Sequence, residues 1–256
     1  AAANALLKAL EEPGASTIWL LCAPTLHDVL PTIRSRCRHL NLKTPTKAEI
    51  KNYLVKSYKV KEEEADLVAN ISQGHIGKAK AFSVNEEARS VRKKVYNLLF
   101  SVQSEGDAIR AAAMLLNYAQ ERVDSRFAPI VDSETEELKS VMQSGGRGMI
   151  SGGSKALKDL EKDQKARATR ATKDELDGYL LDYITLFRDC LSGREARINL
   201  DLSNEIESLV SRLGESSICN LVSKLSELRE LLTTNASQAL LLESFFTHYA
   251  RMNRGI

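Results

Sequence analysis

Cysteine is scarce in this sequence, and the scarcity is informative. Its four cysteines, Cys22, Cys37, Cys190 and Cys219, are far apart and form no CxxC pair, so neither a disulfide framework nor a zinc site is indicated. A reducing cytoplasm is the expected compartment. No apolar stretch approaches the roughly 18 residues that a membrane span needs, and no charged segment precedes an apolar run and cleavage site, so neither membrane insertion nor export is expected. Enzyme signatures are missing too: there is no G-x-x-x-x-G-K-[ST] phosphate loop, no G-x-G-x-x-G after a strand, no H-E-x-x-H and no G-x-S-x-G. The chain is therefore expected to bind no nucleotide cofactor by itself and to catalyse nothing alone. The four histidines, His27, His39, His75 and His248, lack ligand spacing and read as surface or structural groups, with no metal site. Formal charge is only +2, so partners must be recognised by local clusters.

What is present is apolar periodicity. A chain of 256 residues with 43% hydrophobic content can bury a sizeable core and is expected to hold two or three domains. The expected fold is mainly α with a truncated α/β portion. Residues 1–43 carry that portion. Ala1 to Glu12 read as an amphipathic helix without a preceding cap, Pro13-Gly14 ends it, and Trp19 to Cys22 read as a buried strand within the apolar run from Ala15. Leu40, Asn41 and Leu42 alternate as a second short strand before Thr44-Pro45. Such strands need partners, and we expect a sheet edge and further residues in front of Ala1.

A helical signature begins at Thr46, which forms a T-x-x-E capping box with Glu49 ahead of Ile50, Tyr53, Leu54 and Tyr58. A second helix carries Ala65, Leu67 and Val68 and stops at Ser72-Gln73-Gly74. A third opens at Gly77 and runs through Val91, Leu98 and Leu99. These make a small helical lid, 44–100. Residues 101–256 read as a helical collar. Gly106 to Arg126 is an alanine-rich helix, and 143–154, with five glycines and three serines, reads as a flexible linker and boundary. Leu157 and Leu160, then Leu176, Leu180, Tyr183, Ile184, Phe187 and Leu191, predict a long helix or two abutting ones, with Thr172 and Glu175 offering a cap for a fresh start. Three further helices follow: one on Ile206, Leu209, Val210 and Leu213, one from Ile218 to Leu231, and one on Leu240, Leu241, Phe245 and Tyr249. Gly193 and Gly214 serve as stops.

The conspicuous stretch is Leu30-Pro31-Thr32-Ile33-Arg34-Ser35-Arg36-Cys37-Arg38, with arginines at alternating positions. A guanidinium is a planar, permanently charged fork that pairs with phosphate oxygens and stabilises charge developing in phosphoryl transfer. A solvated turn whose arginines pair with nearby carboxylates has the same spacing. A second basic segment, Lys155 to Lys173, has seven lysines and arginines against three acids. It is suited to DNA phosphates or an acidic partner through Lys165, Arg167 and Arg170, or is simply a charged, solvated helix face. It has no aromatic residue for base stacking.

Asn4-Ala5-Leu6-Leu7-Lys8-Ala9-Leu10-Glu11-Glu12-Pro13, then Trp19-Leu20-Leu21-Cys22, then Leu30 to Cys37, in that order and spacing, resemble the second half of the AAA+ module of bacterial clamp-loader subunits. Arg34-Ser35-Arg36-Cys37-Arg38 is more similar to the delta prime branch than to the motor branch. Leu160 to Arg170, followed by Arg188-Asp189-Cys190-Leu191, is similar to the collar of actinobacterial delta prime proteins. The resemblance implies that Arg36 is an arginine finger reaching ATP and magnesium held by the adjacent subunit, with Ser35 and Cys37 positioning it. It also implies a hetero-pentamer with gamma/tau and delta subunits that places a sliding clamp on primer-template DNA. Where motor subunits carry a polar sensor at the end of the strand this chain has Cys22-Ala23-Pro24-Thr25, of which only Thr25 could serve, and Lys78 is the nearest candidate where related ATPases place a second sensor, usually arginine. A motor subunit whose phosphate loop precedes Ala1, and a helical nucleic-acid-binding module, are the alternatives.

Overall fold

A computed structural model of the chain describes residues 7, 9–11, 14, 16–23, 26, 29–144 and 150–255, the side chains of 143, 144 and 150–154 excepted. The chain divides into two compact units, Ala1–Pro45 and Thr46–Ile256. The molecule is mainly helical, as the periodicity predicts.

In the first unit, Leu7 and residues 9–11 are helical. The rest of the expected 1–12 helix, Pro13, Thr25 and His27 lie outside the described residues. A short helix, α1 (Pro31–Arg34), starts with Pro31 in its first turn, where a missing N–H costs nothing, and buries Ile33. The strands expected at Trp19 to Cys22 and Leu40 to Leu42 are not formed: both segments lack any ladder among the described residues. Ile18 is 86% and Leu20 87% exposed. A strand exists only when its backbone N–H and C=O groups pair with a neighbour. Apolar side chains specify which face would be buried, but they do not supply that neighbour.

The second unit begins with α2 (Lys47–Tyr58), α3 (Glu62–Ile71) and α4 (Ile76–Val84). The capping box is in place: the Glu49 N–H donates to Thr46 Oγ1 at 3.3 Å and the Thr46 N–H to Glu49 Oε2 at 2.7 Å. The stop after α3 also forms where expected, with Gln73 at φ 50° and Gly74 at φ 86° turning the chain in the left-handed region. Ile50, Leu54, Val68, Ala79 and Phe82 close a small apolar cluster between these helices. The third helix does not continue through Leu99. It breaks at Asn85, whose Oδ1 accepts the Glu87 N–H at 2.8 Å and starts α5 (Glu86–Ser101); the cap outweighs the continuous apolar pattern.

The larger core belongs to α6 (Glu105–Ser144), α7 (Ile150–Leu191), α9 (Glu215–Leu232) and α10 (Gln238–Asn253), with α8 (Ser203–Arg212) against α7. Neighbours pack in the cycle α6, α7, α9, α10, a four-helix arrangement. Its centre is aromatic: Tyr183 stacks on Phe245 and meets Phe246 edge-on, and Phe187 lies against Tyr249. Each such buried ring contributes roughly 2–3 kcal/mol in area removed from water. The Tyr183 hydroxyl, fully buried, donates to the Val95 carbonyl at 2.7 Å, so this polar atom is satisfied.

Two expectations change here. The segment 143–154 is no boundary between compact units, because α6 extends to Ser144, α7 begins at Ile150, and one unit spans both. Residues 145–149 lie outside the described residues. Thr172 caps nothing; it is buried mid-helix, its hydroxyl donating to the Ala168 carbonyl at 3.0 Å.

Candidate functional site

Arg36 follows directly on α1. Pro31 fixes the entry of that helix, and the Ser35 N–H closes its end on the Pro31 carbonyl at 3.0 Å. The Ser35 hydroxyl donates to the Thr32 carbonyl at 3.1 Å. The Arg36 guanidinium turns back on the same turn: Nη1 donates to the Thr32 carbonyl at 2.8 Å and to Ser35 Oγ at 3.4 Å. Its Nη2 reaches Glu11 Oε1 at 2.6 Å, both side chains remaining well exposed at 39% and 49%. Ser35 and Arg36 thus share one carbonyl acceptor, with the Ser35 hydroxyl beside the guanidinium. Cys37 is half-buried with a free thiol and makes no side-chain contact with Arg36 among those described. His39 Nε2 lies 3.1 Å from the Arg34 carbonyl, and among the described residues no carboxylate pairs with Arg34 or Arg38. An exposed, permanent cation on a fixed turn can stabilise negative charge brought to it.

The other sequence-selected residues are placed elsewhere. Thr25 lies outside the described residues. Lys78 is on α4, its backbone N–H received by His75 Nδ1 at 3.1 Å, and its ammonium pairs with Asp182 of α7 in a partly buried contact. Lys165 and Arg170 are exposed on α7. Arg167 instead faces α6: Nη1 and Nη2 reach the two Glu134 oxygens at 2.9 and 2.5 Å, and its Nε lies 3.2 Å from Asp163. Hydrogen bonding to Arg167, and then to Gln164, holds the Glu134 carboxyl below its ordinary pKa. Among the described residues, no group of three or more His, Cys, Asp or Glu is arranged to hold a metal ion, and no helix is long and apolar enough to cross a membrane.

Sequence reasoning missed a buried polar network beside the bundle. Asp189, from the Arg188-Asp189-Cys190-Leu191 signature, accepts the Ile198 N–H at 2.9 Å and the Asn199 N–H at 2.7 Å. Asn199 Oδ1 in turn receives Arg92 Nη2 at 2.8 Å and the Tyr96 hydroxyl at 3.2 Å. Buried polar groups must be paired, and this set orders the loop between α7 and α8. The signal was an acid amid an otherwise apolar helix face, but its partners lie in a loop without periodicity.

Residues 1–46 match the family model described as DNA polymerase III, delta subunit. More particularly, 69 residues are 46% identical to DNA polymerase III subunit delta' of Haemophilus influenzae (strain ATCC 51907 / DSM 11121 / KW20 / Rd), covering 27% of this chain. The match spans 21% of that protein's length. Over residues 1–46 the chain is thus similar to DNA polymerase III delta subunits, in line with the resemblance drawn from the motifs around Arg36.

Proposed function

We propose that this chain serves in DNA replication as a delta prime-like clamp-loader subunit and lends Arg36 in trans to ATP and magnesium bound by a neighbouring ATPase subunit. The observation that carries this reading is the state of Arg36: carbonyl-anchored at one nitrogen, exposed, and held at the other only by an exposed carboxylate, Glu11. An exposed ion pair contributes about 0–1 kcal/mol, whereas an arginine finger accelerates phosphoryl transfer by roughly a thousand-fold or more. Exchange of the Glu11 carboxylate for a triphosphate is therefore inexpensive, and the backbone anchor survives it. Lys78, committed to Asp182, is not part of the proposed site. Gamma/tau and delta subunits, the sliding clamp and primer-template DNA are the partners this role requires.

The test is Arg36→Ala in the full-length subunit, assembled with its partners. Assembly should persist while DNA-stimulated ATP hydrolysis falls by roughly a thousand-fold at the affected site. Glu11→Gln should leave hydrolysis near the wild-type rate. Wild-type ATPase and clamp-loading rates with Arg36→Ala would remove the role.

A further inference from the structure

The α6–α7 pair extends well past the core it helps to form. The buried apolar cluster ends at Ala119 on α6 and at Leu176 on α7, yet α6 continues to Ser144, another 25 residues or about 38 Å of helix. Over this length the helices run antiparallel: Arg122 pairs with Glu175 at 2.6 Å, Gln164 donates to Glu134 at 3.1 Å, and Arg167 pairs with Glu134. Only a narrow seam is covered, with Phe127, Val131 and Leu138 of α6 and Leu157, Leu160 and Ala168 of α7 half-buried. This arm adds little to the core.

The arm is polarised. Residues 124–142 of α6 hold five acids and two bases, whereas residues 155–173 of α7 hold seven bases and three acids. At 100° per residue, Lys155, Lys158, Lys162 and Lys165 fall within about 80° of one another, opposite the seam. Asp159, Glu161 and Asp163 fall outside that sector. All four lysines are exposed, and none has a carboxylate partner among the described residues. They climb about 15 Å in steps of about 4.5–6 Å. Of the segment's two arginines, Arg167 is spent on Glu134 and Arg170 falls outside the sector, so this row is made of flexible ammonium groups.

We propose that this row is a docking surface for the phosphodiester backbone of nucleic acid, engaged without reading base sequence. Like charges at i, i+3 and i+7 repel one another on a free helix, and a linear polyanion relieves that repulsion along its whole length. Ammonium groups on long stems act as point charges toward phosphate. The row has no aromatic group for stacking on bases and no outward apolar residues for entering a bilayer. The inference is independent of Arg36.

The experiment measures fluorescence anisotropy of labelled duplex DNA of random sequence against the whole chain between 50 and 200 mM salt. Four phosphate contacts predict that log affinity falls against log salt with a slope of about −3.6. The quadruple variant K155Q/K158Q/K162Q/K165Q should bind roughly tenfold or more weakly at the lowest salt, with the slope close to zero; the corresponding Lys→Arg variant should bind as wild type does. Circular dichroism checks that both variants keep wild-type helicity. No binding by the wild type, binding unchanged in the glutamine variant, or equal competition by polyglutamate or by anionic phospholipid vesicles would each overturn the proposal.

Discussion

At the scale of the residue, environment separates groups that look alike in sequence. Cys22 and Cys219 are exposed and Cys37 is half-buried, while Cys190 is buried among the α7 side chains. Burial, reinforced by the negative charge of Asp189, pushes the Cys190 thiol up to about 12. Since the thiolate is the reactive species, native alkylation followed by mass spectrometry should label Cys22, Cys37 and Cys219 and spare Cys190 until denaturant is added. Rapid labelling of Cys190 in the native chain would contradict the burial described for α7. Arginines divide in the same way. Arg36, Arg92 and Arg167 share a chemistry, but Arg92 is tied into a buried loop network, Arg167 closes a helix pair, and Arg36 alone of the three is itself exposed.

At the scale of the element, local chemistry was legible wherever cap and period agreed. Thr46 and Glu49 gave the start of α2, and Gly74 the end of α3, because each signal lies within four residues of its effect. The break at Asn85 was hidden by apolar residues continuing in phase on both sides. The strands failed for the opposite reason: Trp19 to Cys22 has the right side chains, but pairing is a property of two segments. The run of α6 beyond Arg126 was obscured by Pro129, which cannot donate to the Ser125 carbonyl and would ordinarily end a helix. Antiparallel contact with α7 carries the helix through it. Pro129→Ala should therefore strengthen the arm by about 1–3 kcal/mol, seen as slower amide hydrogen exchange over residues flanking position 129 with no change in the bundle. Faster exchange there would show that Pro129 stabilises the arm.

At the scale of the whole molecule, the candidate site was legible because its motif is contiguous, whereas the polar network joins Arg92 to distant Asn199 and the paired arm joins residues thirty or more positions apart. Stability of the bundle should carry a pH signature of its own. His248 on α10 hydrogen-bonds Asn220 on α9 at 2.8 Å, and burial, then the charges of Lys224 and Arg251, lower its pKa from 6.5. The folded state thus binds this proton less readily than the unfolded chain. Its contribution to stability is present above about pH 6.5 and is lost as pH falls through the lowered folded value. Urea midpoints should drop between pH 7.5 and 5.5 in the wild type, and the His248→Gln variant should show a shallower drop. Parallel profiles would assign the acid sensitivity to other groups.

The extension of α6 and α7 also has a mechanical consequence. A rod fixed only at its root amplifies rotation: with about 30 Å of helix past Val123, a five-degree tilt where the pair leaves the aromatic centre carries its far end about 3 Å. Small adjustments among Tyr183, Phe187 and Phe245 would thereby be converted into displacements at the far ends of the two helices large enough to make or break a hydrogen bond.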